Sequence, residues 1–340
     1  MKALSLLSPG TFDLVDIPGP EAGPEEVLIA IKYVGLCGTD LNAYRGRSSL
    51  VAGPRILGHE VGGVVAATGE DVPADIQVGA RVTLSPYSHC GTCRACRIGR
   101  TNSCLFNQTL GVQRDGALTE RIAVNHRKVY PSGILSLAEL ALVEPLAVGY
   151  HATNIGRVSA ADTVLVLGCG AVGLGAIAAS ASKGATVVGA DVEQRKLDTA
   201  SRLGAGHVID AVNEDVSQRV AAITAGDGPT VVIEAAGQAE ATTMAIELAA
   251  SAGRVVFIGY ASKAIDLDTT LIVKKELEIL GSRNAFDEFR SVIAMLEERA
   301  RPVSQMITRI ADFEQAPQAF AEWSATPGSF TKILVRIAAE

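Results

Sequence analysis

Apolar and polar positions follow two different rhythms along this chain. In the first 130 residues they come in short runs broken by glycine or proline. Residues 26–36, EVLIAIKYVGL, alternate before reaching a glycine, and residues 58–69 and 80–86 are short β-branched runs between Gly and Pro. A period of two predicts strands, and many short strands with such punctuation predict a barrel-like β-domain. From about residue 148 the rhythm changes. Apolar runs at 163–167, 186–190, 207–209, 230–234, 254–259 and 277–282 are spaced by helical segments, among them 171–183 and 193–203. Strands buried on both faces and separated by helices predict a parallel, doubly wound sheet. Further on, Phe289, Val292, Ile293 and Leu296 recur at i, i+3, i+4 and i+7, which predicts an amphipathic helix limited by Pro302. Residues 332–337, KILVRI, read as a final strand. Periodicity does not say to which domain these last segments belong.

Composition narrows the reading. A chain of 340 residues exceeds one ordinary core, so two domains are expected. With 48% apolar and 20% charged residues it can bury a large core. A net charge of −7 without basic blocks argues against nucleic acid as a partner. The opening MKALSLLSPGTF breaks at Ser8-Pro9-Gly10, before a secretory apolar core can form. The uncharged run Thr163 to Ser182 approaches the length of a membrane span. It contains Gly168, Gly170, Gly173 and Gly175, so a strand, a glycine turn and a small-residue helix fit it better. The expectation is a cytoplasmic protein with no membrane partner. In that compartment a cysteine cluster means metal more often than disulfides.

Three sets of residues carry candidate chemistry. In the first, Gly168, Gly170 and Gly173 spell G-x-G-x-x-G after a predicted strand and at the opening of a helix. Gly168 allows a tight turn, Gly170 lets backbone approach a pyrophosphate, and Gly173 lets helix and strand pack closely. Ala171 and Val172 complete that cofactor loop. Asp191 ends the next strand, eighteen residues after Gly173. A carboxylate there accepts from ribose hydroxyls and repels a 2′-phosphate, which favours NAD over NADP. Arg195 lies nearby and offsets part of that discrimination. Cys169, inside the loop, reads as a small packing residue.

The second set is Cys90, Cys93, Cys96 and Cys104, four of the six cysteines within fifteen residues. Four thiolates can wrap one tetrahedral ion and leave no position for substrate, so such a site organises a lobe; a disulfide framework and an iron–sulfur cluster, whose usual flanking proline is missing, are the other readings. His89 is a weaker competitor for the same ion. The third set is dispersed: Cys37 in GLCGTD, His59 in GHE, and Glu144 in VEP. Each alone has a structural reading. Together they offer S, N and O ligands, and three protein ligands leave a fourth position open, although spacing does not show that they converge.

The motifs GLCGTD (35–40), GHEVGGVV (58–65), the cysteine lobe (90–104), GVQRDGALTE (111–120), VEPLAVGYHA (143–152) and VLGCGAVG (166–173) resemble the zinc-dependent medium-chain dehydrogenase/reductase superfamily. The resemblance covers essentially the whole chain and is nearest to its sorbitol dehydrogenase-like branch of polyol and sugar-acid dehydrogenases. It implies an α/β fold with a GroES-like β-barrel catalytic domain (1–147), a Rossmann doubly wound parallel sheet (148–287), and a return to the catalytic domain (288–340). It implies two zinc ions per chain, one catalytic on Cys37, His59 and Glu144, and one structural on the cysteine lobe. Glu60 resembles the family's carboxylate beside the zinc, either an alternate ligand or an orienting group. Thr39 corresponds to the hydroxyl that accepts the alcohol proton.

The implied reaction is hydride transfer from a secondary alcohol of a polyol, sugar or sugar acid to NAD, in a homodimer or homotetramer. Asn42 departs from the pattern, because many relatives carry there the histidine that ends the proton relay. Tyr44, Arg45 and Arg114 flank the matched motifs, and Arg114 is the main candidate for a substrate carboxylate. Arg283 and Asn284 follow the last Rossmann strand and are candidates for cofactor contact. His151, His126 and His207 have structural readings. Two other readings are a cofactor-sensing or regulatory protein on this fold and a metal-free quinone or enoyl reductase.

Overall fold

The computed structural model describes residues 1–51, 53–261 and 263–339. The chain forms two compact units: Met1–Glu144 together with the segment from Val303 onward, and Pro145–Pro302. The first unit is built on a seven-stranded sheet. Its path runs Val129–Pro131, Arg81–Leu84, Glu60–Thr68, Glu26–Gly35, Lys332–Arg336 and Ile307–Asp312. Strand Glu26–Gly35 is the hub. One edge pairs with Glu60–Thr68; the other is shared between Arg121–Asn125, opposite Glu26–Ala30, and Lys332–Arg336, opposite Tyr33–Gly35. The C-terminal strand thus completes a sheet begun three hundred residues earlier. Its Ile333 and Val335 join Ile29, Ile31, Val34, Leu57, Leu84, Leu118, Phe313 and Phe320 in one core. A second, three-stranded sheet, Thr11–Asp16, Lys2–Ser8 and Arg55–Ile56, belongs to the same unit.

The second unit carries the predicted parallel sheet. Its six strands stand in the order His207–Asp210, Thr186–Asp191, Thr163–Leu167, Val231–Glu234, Arg254–Phe257 and Glu278–Gly281. Every pairing is parallel. This is the 3-2-1-4-5-6 order of a doubly wound fold, which gathers the cofactor loops at the carboxyl ends of the strands. The uncharged run from Thr163 divides into strand Thr163–Leu167 and helix Ala171–Ser182. Among the described residues, no helix is long and apolar enough to cross a membrane.

The chain re-enters the first unit later than residue 288. Helix Phe289–Glu297 belongs to the second unit, where it packs on helix Ala171–Ser182. Its preceding residue, Glu288, accepts at 2.7 Å from His151 and at 3.1 Å from Asn154. The helical period shows that Phe289, Val292, Ile293 and Leu296 are buried but carries no information about the surface that buries them.

Candidate active site and metal centres

Cys37 is the N-cap of a helix, Gly38–Tyr44, in a segment for which the sequence predicts no element. The Asp40 carboxylate accepts from Cys37 N at 2.8 Å and Gly58 N at 3.4 Å, and lies 3.9 Å from His59 Nδ1. One fully buried carboxylate therefore fixes both segments and faces the imidazole. Sequence reasoning missed Asp40, although its place three residues after Cys37 is a capping-box signal. Thr39 is half-buried, its hydroxyl 3.8 Å from Cys37 Sγ.

His59 and Glu60 lie where the chain enters strand Glu60–Thr68. Ligand atoms of Cys37, His59 and Glu60 all lie within 4.8 Å of one another. Glu60 is not alone. Lys332 Nζ donates to both of its oxygens at 2.6 Å and to the Leu36 carbonyl at 3.0 Å. The pairing crosses the hub strand at Gly35, which is opposite Glu60 on one side and Leu334 on the other. A Cβ on Gly35 would stand 1.9 Å from Glu60 Oε2, so the missing side chain makes the room.

Glu144, in the first turn of helix Val143–Ile155, is 4% exposed and accepts from the Tyr87 hydroxyl. Among the described residues it is not in the closest triplet, which holds Glu60 instead, yet it acts on His59 electrostatically. Burial opposes charge on His59, but Asp40, the Cys37 sulfur and Glu144 hold its imidazole well above the ordinary range. Burial in turn raises Glu144, an effect that His59 counters. His59 Nδ1 is buried without a hydrogen-bond partner. A buried imidazole ringed by a thiol and three carboxylates is the field of a cation site.

The four clustered cysteines are free thiols. Neighbouring sulfurs stand 3.5–4.0 Å apart. A tetrahedron of zinc–sulfur bonds of about 2.3 Å has edges of about 3.8 Å, so the cluster matches that ion. Cys90 is held down to about 6 by backbone N–H groups of Cys93 and Thr92, whereas burial pushes Cys96 up to about 12. His89 is exposed and stands outside this group.

The glycine loop has the shape the motif requires. Gly168 has φ +95°, and a Cβ there would meet Ala236 N at 2.8 Å. Nothing lies within 4 Å of a Cβ built on Gly170, the N-cap of helix Ala171–Ser182, whereas one on Gly173 would stand 1.8 Å from Gly168 O. Turn, open approach and close packing fall on the three glycines as a pyrophosphate cradle needs. Asp191 ties the loop to the next strand, accepting from Cys169 N at 2.7 Å and Glu193 N at 3.0 Å. Two oxygens with one such bond each keep lone pairs for ribose hydroxyls. Lys196 stands 3.8 Å from Asp191, and Arg195 is exposed on the same helix. Cys169 is a buried packing thiol.

The other flanking candidates separate. Arg45 is committed to Ser324, and Tyr44 stacks with Phe12 and Phe320. His151 is buried on Glu288. Arg283 is exposed just past strand Glu278–Gly281, and Asn284 takes φ +57°.

Residues 23–134 match the alcohol dehydrogenase GroES-like domain family and residues 171–298 the zinc-binding dehydrogenase family. The chain is 35% identical over 295 residues to L-galactonate-5-dehydrogenase of Escherichia coli K12, covering 86% of each. It is 32% identical over 343 residues to sorbitol dehydrogenase of Bacillus subtilis, covering 98% of this chain and 97% of that one. Among solved structures, a candidate zinc-binding dehydrogenase of Sinorhizobium meliloti bound to NADP superposes with TM-score 0.91 at 31% identity, over 99% of both chains. A GroES-like unit, a Rossmann sheet and these likenesses together place the chain in the zinc-dependent medium-chain dehydrogenase/reductase superfamily, in its sorbitol dehydrogenase-like branch.

Proposed function

We propose that the protein is a zinc-dependent dehydrogenase that moves a hydride from a secondary alcohol of a polyol, sugar or sugar acid to NAD. The observation that carries this reading is the buried constellation around His59, in which Cys37, Asp40, Glu60 and Glu144 converge on one imidazole. Cys37, His59 and Glu144 are assigned as the zinc ligands of the reacting centre. Glu60, both of whose oxygens are engaged by Lys332, is the carboxylate kept beside them. Cys90, Cys93, Cys96 and Cys104 hold the second, structural zinc. Zinc at the first site supplies a Lewis acid for an alcohol oxygen, and NAD supplies the hydride acceptor.

The chain's own residues do the rest. Asp40, hydrogen-bonded to the Cys37 and Gly58 backbone, sets a carboxylate charge 3.9 Å behind the His59 imidazole. Tyr87 turns one Glu144 oxygen by hydrogen bonding and leaves the other for metal. Thr39 takes the substrate's hydroxyl proton. With Asn42 in place of a titrating side chain, that proton leaves through water or the cofactor ribose. Gly168, Gly170, Ala171, Val172 and Gly173 seat the pyrophosphate, Asp191 accepts from the ribose, and Arg195 and Arg283 border the cofactor. NAD is preferred because Asp191 repels a 2′-phosphate, while Lys196 weakens that preference.

One experiment tests the whole reading. Purified protein is expected to carry two zinc ions per chain and to oxidise at least one polyol, aldose, uronate or aldonate faster with NAD than with NADP. Glu144→Ala should lose one zinc and its activity. Full zinc and full activity in that variant would remove Glu144 from the ligands, and a strict NADP preference would sink the role given to Asp191.

A further inference from the structure

Two cations near this site lack the partners that buried charges need. Arg114 lies in the loop between Gly111 and Gly116, which is clamped against Leu57–Gly58. Gly116 N donates to Ile56 O at 2.7 Å and Ala117 N to Gly58 O at 2.9 Å. Arg114 is half-buried, and its Nε has no acceptor. The neighbouring carboxylate, Asp115, is already engaged by Arg55 and Ile56 N, both at 3.2 Å. Lys128 is also half-buried and donates to Ser88 Oγ at 2.5 Å. Adjacent Arg127 is turned to Glu25 at 3.6 Å. Burial, and then the charge of Arg114, bring the Lys128 ammonium down to about 8.

Among the described residues, no carboxylate pairs with either cation. Two like charges that lose hydration together destabilise each other unless an anion joins them. Both are anchored to the metal site's own segments. The Arg114 loop rests on Gly58, next to His59, and Lys128 rests on Ser88, next to the Tyr87 that holds Glu144. A guanidinium fork beside a lysine point charge suits a carboxylate or a phosphate.

We propose that Arg114 and Lys128 form an anion seat that takes the terminal carboxylate or phosphate of an acidic sugar or polyol substrate. This deepens the dehydrogenase reading above and rests on it for the identity of the ligand.

Binding and turnover test the seat separately. Inorganic phosphate is titrated calorimetrically into the zinc-loaded full-length protein and into R114Q, K128Q and K128R. Binding to the wild type should weaken at least 10-fold in R114Q and K128Q and survive in K128R, with circular dichroism confirming that each variant is folded. Equal phosphate binding in all four proteins would overturn the seat. In the second arm, kcat/KM is compared for an aldonate, a polyol phosphate and a neutral polyol of the same length. The ratio of the preferred anionic substrate to the neutral one should fall about 10–100-fold in R114Q, the worth of a charge-assisted hydrogen-bond pair. The more affected anion, carboxylate or phosphate, names the natural terminus. An unmoved ratio would overturn the assignment to substrate. Phosphate binding that depends on both residues, in a protein that turns over no alcohol, would uphold the seat and reject the dehydrogenase reading.

Discussion

Lys332 is 3% exposed, and a buried ammonium persists only where anions replace its water. Glu60 and the Leu36 carbonyl do so here, across a gap that Gly35 keeps free of side chain. Burial pulls the Lys332 ammonium down, but Glu60 and Cys37 hold it above its ordinary value, so it stays charged through neutral pH. Removing one partner of such a pair strands the other charge in the interior. K332M is therefore expected to destabilise the first unit by about 3–5 kcal/mol in denaturant unfolding, and K332M/E60M to recover most of that loss. A single variant within experimental error of wild type would show that water reaches Glu60. The sequence hid this pair: Lys332 is only the first residue of a predicted strand, and its partner lies 272 residues upstream. Cys37, His59 and Glu60, whose ligand atoms lie within 4.8 Å of one another, drew notice in the sequence because their motifs are short and local. Asp40 and Tyr87 did not, since an acid in a first turn and a tyrosine before a cysteine lobe have ordinary structural readings.

At the scale of elements, the lobe of Cys90, Cys93, Cys96 and Cys104 has little besides sulfur to hold it. Its helix Arg94–Arg97 has four residues, none buried, and Ile98, Leu105 and Phe106 are largely exposed. Its order must come from metal, and the metal from thiolates. The folded pKa of Cys90 is depressed from 9.0 to about 6, so the thiolate's contribution is complete above 9.0 and is lost as pH falls through about 6. Zinc binding displaces the protons of all four thiols, so the ion should be retained at neutral pH and released on acidification, followed with a chromogenic chelator. C93S should release it at neutral pH and open residues 89–107 to proteolysis. Protease resistance in zinc-free C93S would show that the lobe holds itself. Elements were readable where apolar residues are large. Strands 163–167 and 186–190 announced themselves through valine and leucine. Helices Ala239–Leu248 and Ala316–Ala325 did not, because three of their six buried residues, Ala245, Ala316 and Ala319, are alanine, beside Thr242, Ile246 and Phe320. Such faces have little hydrophobic contrast with solvent-facing positions.

At the scale of the molecule, the two units differ in how the chain builds them. Pro145–Pro302 is continuous and contains all six strands of its parallel sheet. Among the described residues, the core cluster that holds Leu165, Val188, Ile209, Val232, Ile246 and Val255 lies within those limits. The first unit is discontinuous. Without residues 303–340 its hub strand loses Lys332–Arg336, Glu60 loses Lys332, and the core loses Phe313, Phe320, Ile333 and Val335. Losing several fully buried side chains at about 2–5 kcal/mol each exceeds the whole stability of an ordinary domain. Residues 145–302 expressed alone should then unfold cooperatively in urea, whereas 1–144 alone should show no transition. The ends to be rejoined are near one another, since Val303–Met306 packs on helix Leu137–Leu140. Joining 1–144 to 303–340 through a short glycine–serine linker should restore a cooperative transition and the binding of zinc. A cooperative transition in 1–144 alone would mean that the N-terminal strands carry their own core and that the C-terminal strand is an addition to it.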